Sequence, residues 1–95
     1  MIEIREEVKI AVVENMTSNL ATLRTMLHLS QAELALLVGL GRQSLVSIET
    51  GKRKMTWSVY LSLLFVFSQN KQTAMLLDVF EIYPPELKDI YTNLK

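Results

Sequence analysis

Residues 30–54 read SQAELALLVGLGRQSLVSIETGKRK, and the reading of this stretch decides the fold. Ser30 followed three residues later by Glu33 is the pattern of a capping box, so it opens a short helix running to about Val38. Gly39 ends that helix, because glycine enters the left-handed region without strain. A turn of about three residues follows. A second short helix then begins at Arg42, ends at Glu49 and stops before Gly51. Two short capped helices joined by a glycine-containing turn make a helix-turn-helix unit. Packing them demands a small side chain at the crossing: Ala35 supplies it, with Leu34, Val38, Leu40, Leu45 and Ile48 around it. Helical hairpins of many functions meet the same demand, so the geometry alone assigns no role.

Outward from the unit the pattern stays helical. Upstream, Val8, Ala11, Val12, Met16, Leu20, Leu23 and Leu27 recur at steps of three and four, which marks one apolar face. The residues leave open whether this is one long helix or two broken near Thr17 and Ser18, where Ser18 is an N-cap candidate. An alternating reading of the start (Ile2, Ile4, Val8, Ile10, Val12) makes a strand of it, against the stronger helical period. Downstream, Thr56 caps a fourth helix carrying Trp57, Tyr60, Leu61, Leu64, Phe65 and Phe67, with the aromatic run expected in the core. A break at residues 68–70 precedes a helix over 71–82 with Ala74, Leu77 and Val79 or Phe80 inward. Pro84 and Pro85 end it and start a last helix with Leu87, Ile90, Tyr91 and Leu94 on one face. The expectation is an all-α single domain, a bundle of about five to seven helices. Its parts are an N-terminal extension over 1–18, a core over 19–68 and C-terminal helices over 69–95 suited to dimerisation.

Composition narrows the chemistry. The chain has 95 residues, of which 49% are hydrophobic, with three glycines, two prolines and no cysteine. That is enough apolar chain for one core, and it rules out disulfides and sulfur-ligated zinc. The absence of cysteine fits a cytoplasmic setting. The acidic start, with Glu3, Glu6, Glu7 and Glu14, is unlike a signal peptide. The longest apolar stretch, 59–67, is far shorter than the roughly 20 residues of a spanning helix. His28 is the only histidine and sits at a helix end. With no paired metal ligands and no phosphate-cradling glycine loop, neither an enzyme, a metal site nor a cofactor is expected.

The formal net charge is zero, which by itself argues against nucleic acid. The distribution reverses that argument. Residues 20–57 hold Arg24, Arg42, Lys52, Arg53 and Lys54 against Glu33 and Glu49, while both flanks are acidic on balance. The middle of the chain is its only positive part, and it coincides with the helix-turn-helix.

The wording of that middle resembles the Xre-type, or phage-repressor-like, transcription regulators. Leu29-Ser30-Gln31-Ala32-Glu33-Leu34-Ala35, Val38-Gly39, Gln43-Ser44-Leu45 and Ile48-Glu49-Thr50-Gly51-Lys52-Arg53 carry the likeness, which covers about residues 19–67. The resemblance implies a lambda-repressor-like bundle that binds double-stranded operator DNA, usually as a homodimer. It implies that Arg42, Gln43, Val46 and Ser47 face bases, where Arg suits guanine and Gln suits adenine. It assigns phosphates to Gln31, Ser44, Lys52, Arg53 and Lys54 and to the N-terminus of the helix opened by Thr56 and Trp57. Gln31 is also expected to brace the start of the reading helix. Arg24 and Glu49 resemble the family's ion pair, and Ala35 and Gly39 its packing and turn residues. Gly41 departs from the pattern, since a side-chain cap is usual there, and Val46 and Ser47 are short for base readers. A protein-interaction module that keeps the fold, or an antitoxin-like repressor with a protein partner, is the alternative.

Overall fold

The computed structural model describes residues 3–94, which form six helices and no strand. They are α1 (Glu6–Met26), α2 (Gln31–Leu37), α3 (Arg42–Glu49), α4 (Trp57–Ser68), α5 (Lys71–Val79) and α6 (Pro85–Thr92).

Helix α1 is continuous for 21 residues, about 31 Å. Glu6 and Glu7 lie in its first turn and Arg24 in its last, each opposing the local end of the helix dipole. Its buried stripe is Val12, Met16, Leu20 and Leu23. The four-residue step from Met16 to Leu20 carries the stripe past Thr17 and Ser18 without a change of phase. Thr17 donates its hydroxyl hydrogen to the Val13 carbonyl at 2.8 Å and stays within the helix. The strand reading therefore fails for the described part of the start, and Ile2 lies outside it. Ala11, expected on the apolar face, is exposed.

The capping box at α2 is complete. The Ser30 hydroxyl accepts from the Glu33 N–H at 3.0 Å, and the Ser30 N–H donates to the Glu33 carboxylate at 2.8 Å. The backbone bond from Ser30 and then its hydroxyl hold the Glu33 carboxyl below its ordinary range. Thr56 caps α4 through Val59 N–H, and Asn70 caps α5 through Gln72 and Thr73 N–H.

Four helices end alike, with a residue in the left-handed region whose successor turns its N–H back onto the last turn; the successor is apolar after α1, α2 and α5 and is Lys52 after α3. After α2 it is Gly39 (φ 74), whose successor Leu40 donates to the Ala35 carbonyl at 2.8 Å. Gly51 (φ 80) does the same after α3. After α1 and α5 the position is held by His28 (φ 57) and Glu81 (φ 56). These are Schellman endings with and without glycine. The one at Glu81 corrects the expected helix over 71–82. The helix stops at Val79, and Ile82 returns over Leu77, its N–H 2.8 Å from the Leu77 carbonyl. Leu77 and Ile82 are then the buried pair, Phe80 packs at the core's edge, and Val79 is 67% exposed.

The core draws on every helix: Met16, Leu20 and Leu23 from α1, Leu34 and Ala35 from α2, Leu45 and Ile48 from α3, Tyr60, Leu63 and Phe67 from α4, Leu77 from α5 and Leu87 from α6. Expectations change for Phe65, Tyr91 and Leu94. Phe65 projects into solvent at 67% exposure, on the side of α4 that also carries Ser58, Ser62 and the following Gln69. Leu94 falls beyond the end of α6 and, like Tyr91, is exposed.

Candidate nucleic-acid interface

Helix α3 sinks Leu45 and Ile48 between α1 and α2. At 3.6 residues per turn, that turns Gln43, Ser47 and Thr50 to the opposite side, with Arg42 and Val46 beside them. Arg42 and Gln43 are exposed, while Ser44, Val46 and Ser47 are half-buried along the edge. Neither Arg42 nor Gln43 has a hydrogen-bond or ion-pair partner among the described residues. Gly41 caps α3 with its backbone alone.

One buried pair holds the helix in place. Arg24 on α1 meets the Glu49 carboxylate through Nε at 2.8 Å and a second nitrogen at 3.1 Å, a two-pronged contact. Its third nitrogen donates to the Leu29 carbonyl at 2.9 Å. Gln31 donates from Nε2 to the same carboxylate at 3.1 Å. The Glu49 side chain is only 6% exposed, so three donors on α1 and α2 fix the far end of α3. Gln31 thus braces the end of α3, rather than its start, and one N–H of its amide is committed there.

The loop after α3 is hung on the helix it follows. The Ser47 carbonyl accepts from the N–H groups of Lys52 and Arg53 at 2.8 and 3.0 Å. The Arg53 guanidinium donates to the Ser44 hydroxyl at 2.8 Å. Lys52, Arg53 and Lys54 are all exposed. Since Arg24 and Glu49 neutralise each other and Glu33 is spent on its cap, Arg42, Lys52, Arg53 and Lys54 are left as the positive charges of this face.

Beside the loop, α4 begins. The Thr56 hydroxyl satisfies Val59 N–H, leaving the N–H groups of Trp57 and Ser58 without a helical partner at the positive end of a 12-residue helix. The Trp57 ring is occupied: it stacks on Tyr60 with centroids 4.7 Å apart, and Lys9 Nζ lies 5.2 Å from its centre. It is the Trp57 backbone, then, that faces outward. Lys9 and the Arg53–Ser44 tie are the features the sequence reading missed. Lys9 sits 48 residues from Trp57, on a helix read only for its apolar stripe, and nothing local marks a bond between residues 44 and 53.

A family model described as helix-turn-helix matches residues 20–56. This segment is an Xre-type helix-turn-helix. It takes in the last third of α1, α2, α3 and the loop through Thr56, and so includes the face just described except Lys9 and the start of α4 at Trp57 and Ser58. Xre-type units belong to DNA-binding transcription regulators, and α3 is the second helix of this one. No curated protein and no solved structure matches the chain. Among the described residues no group of acidic or histidine side chains is placed to hold a metal, and no helix is long and apolar enough to cross a membrane.

Proposed function

We propose that the protein is a sequence-specific, non-enzymatic transcription regulator of the cytoplasm that represses by occupying its operator. The observation carrying this is the exposed polar edge of α3, anchored from behind by Arg24 and Gln31 and flanked by the Lys52–Lys54 cations. Laid in a major groove, α3 brings Arg42 to the paired acceptors of a guanine and Gln43 to an adenine, with Ser47 and the Val46 methyls, suited to thymine, one turn on. Phosphates on one side meet Lys52, Arg53, Lys54, the Ser44 hydroxyl and the N–H groups opening α4 at Thr56 and Trp57. On the other side they meet the remaining amide hydrogen of Gln31. With few long readers on α3, DNA shape supplies part of the selectivity.

The active form is proposed to be a homodimer joined through the surface after Trp57, matching a two-fold operator. There Phe65 stands beside a cavity of about 300 Å³ lined by Leu61, Leu64, Tyr83 and Tyr91. A second reading adds a protein partner, as in an antitoxin-like repressor. It is favoured by Leu36 and Leu37, which α2 leaves 82% and 58% exposed.

The test is a selection of bound duplexes from random DNA, followed by binding of the Arg42→Ala, Gln43→Ala variant. Discrimination should fall by about 1–3 kcal/mol per lost base contact, with random DNA held as before. Equal loss on both kinds of duplex removes the reading role of α3.

A further inference from the structure

Between α1 and the loop after α3 lie two adjoining cavities, of about 190 and 550 Å³. Val13, Glu14, Lys54 and Met55 line both, so the two form one furrow. Its floor is apolar. The loop rim carries Arg53 and Lys54; the α1 rim carries Glu6 and Glu14, with Lys9 between them laid over the Trp57 ring. Glu14 is the carboxylate common to both cavities. It is exposed, and among the described residues it has no ion-pair partner within reach. Glu14 and Lys54 line the same two cavities, so a charge held at Lys54 meets the Glu14 carboxylate with only partial screening at physiological salt, where the Debye length is about 8 Å.

A phosphate resting on Lys54 therefore lies within range of a fixed negative charge that the protein itself supplies. We propose that Glu14 limits the sequence-independent grip on DNA, marking the edge at which the phosphate-binding face ends and α1 turns the duplex away. The inference rests on the DNA-binding reading above and adds a residue outside the matched segment. It also bears on how a chain of zero net charge presents a cationic face: Glu6, Glu7 and Glu14 are set on the bordering helix, where they oppose an extended footprint. Glu7 serves as the internal comparison, since it sits in the first turn of the same helix but lines neither cavity.

The experiment measures binding of a fluorescent random-sequence duplex to wild type, Glu14→Gln, Glu7→Gln, Lys54→Gln and the Glu14→Gln, Lys54→Gln double variant. Titrations run at about 50 and 200 mM salt, where phosphate-driven binding differs most. Glu14→Gln should tighten binding about two- to fivefold at the lower salt, on random and selected duplexes alike, and by less at the higher. The gain should persist in the Lys54→Gln background, because the carboxylate acts on the phosphate rather than by pairing with Lys54. Wild-type binding with no gain from Glu14→Gln overturns this inference alone, as does an equal gain from Glu7→Gln, which would mean that net charge suffices. No binding by any variant overturns it together with the DNA-binding reading.

Discussion

The Arg53 guanidinium donates to the Ser44 hydroxyl at 2.8 Å, tying the loop after α3 to the exposed edge of that helix. With the Ser47 carbonyl holding Lys52 and Arg53 N–H, the cation is positioned before any DNA arrives. An arginine that is already ordered loses less side-chain freedom when it meets a phosphate, a saving of up to about 1.5 kcal/mol per side chain.

Ser44→Ala should accordingly weaken binding to every duplex by a few-fold while leaving the salt slope unchanged, because the charge remains while its placement and the hydroxyl's own neutral contact with a phosphate are lost. Arg53→Ala should weaken binding further and lower the slope by about 1. Fluorescence titrations over a salt series separate the two. A Ser44→Ala protein that binds like wild type would show that the tie has no bearing on affinity.

Much of this architecture can be read locally. Ser30 with Glu33, Gly39, Gly51 and Thr56 each act within four residues of themselves, and they place α2, α3 and the start of α4. The spacing of Leu45 and Ile48 likewise turns Arg42 and Gln43 outward. What escapes the sequence is set by tertiary context. Glu81 ends α5 in a backbone conformation that glycine announces and glutamate does not. Phe65 is the exception, since it lies in step with Ser58, Ser62 and Gln69, and only the high apolar content of α4 masks that outward stripe. Gln31 reaches Glu49 across 18 residues, and no periodicity records that the contact falls at the end of α3. Arg24 with Glu49 was legible only through family resemblance, because two opposite charges 25 residues apart carry no local signal.

That pair sets a stability prediction. Arg24→Met leaves the Glu49 carboxylate buried with Gln31 as its remaining donor, and removing one partner of a buried pair costs about 3–5 kcal/mol. Most of that cost should return in the double variant Arg24→Met, Glu49→Leu, where no charge is stranded. Urea unfolding of the three proteins measures both quantities. A single variant as stable as wild type would show that the pair is dispensable for orienting α3.

Stability should rise where the left-handed helix ends lack glycine. A side chain there costs roughly 1–2 kcal/mol against the right-handed conformation, and glycine avoids most of it. Part of the gain is offset by the greater freedom of glycine in the unfolded chain. The Glu81 carbonyl that accepts from Asn15 at 2.9 Å belongs to the backbone and survives the change. Glu81→Gly should therefore stabilise by about 0.5–1 kcal/mol, and His28→Gly by a similar amount, raising the melting temperature by a few degrees each. Calorimetry on each variant decides it, and a lowered melting temperature for both would mean that the side chains contribute more than the strain costs.

Tyr60 predicts how the fold fails in alkali. Its ring is fully buried and its hydroxyl donates to the Ile82 carbonyl at 2.5 Å, joining α4 to the segment that follows α5. Burial, and then the neighbouring Tyr91 and Tyr83, push the phenol far above its ordinary value near 10. The sign follows from comparing the two states. Below about pH 10 the phenol is protonated whether the chain is folded or not, and the contribution of the contact is complete. Above it the unfolded chain releases the proton while the folded one keeps it, so stability falls as pH rises toward the folded value. Tyr60→Phe should cost about 1–3 kcal/mol at neutral pH, since the Ile82 carbonyl loses its donor, and should flatten the alkaline decline. Tyr83, also raised by burial, leaves a residual slope. Urea midpoints between about pH 8 and 11 test the difference. Parallel declines in the two proteins would place the alkaline sensitivity on some group other than Tyr60.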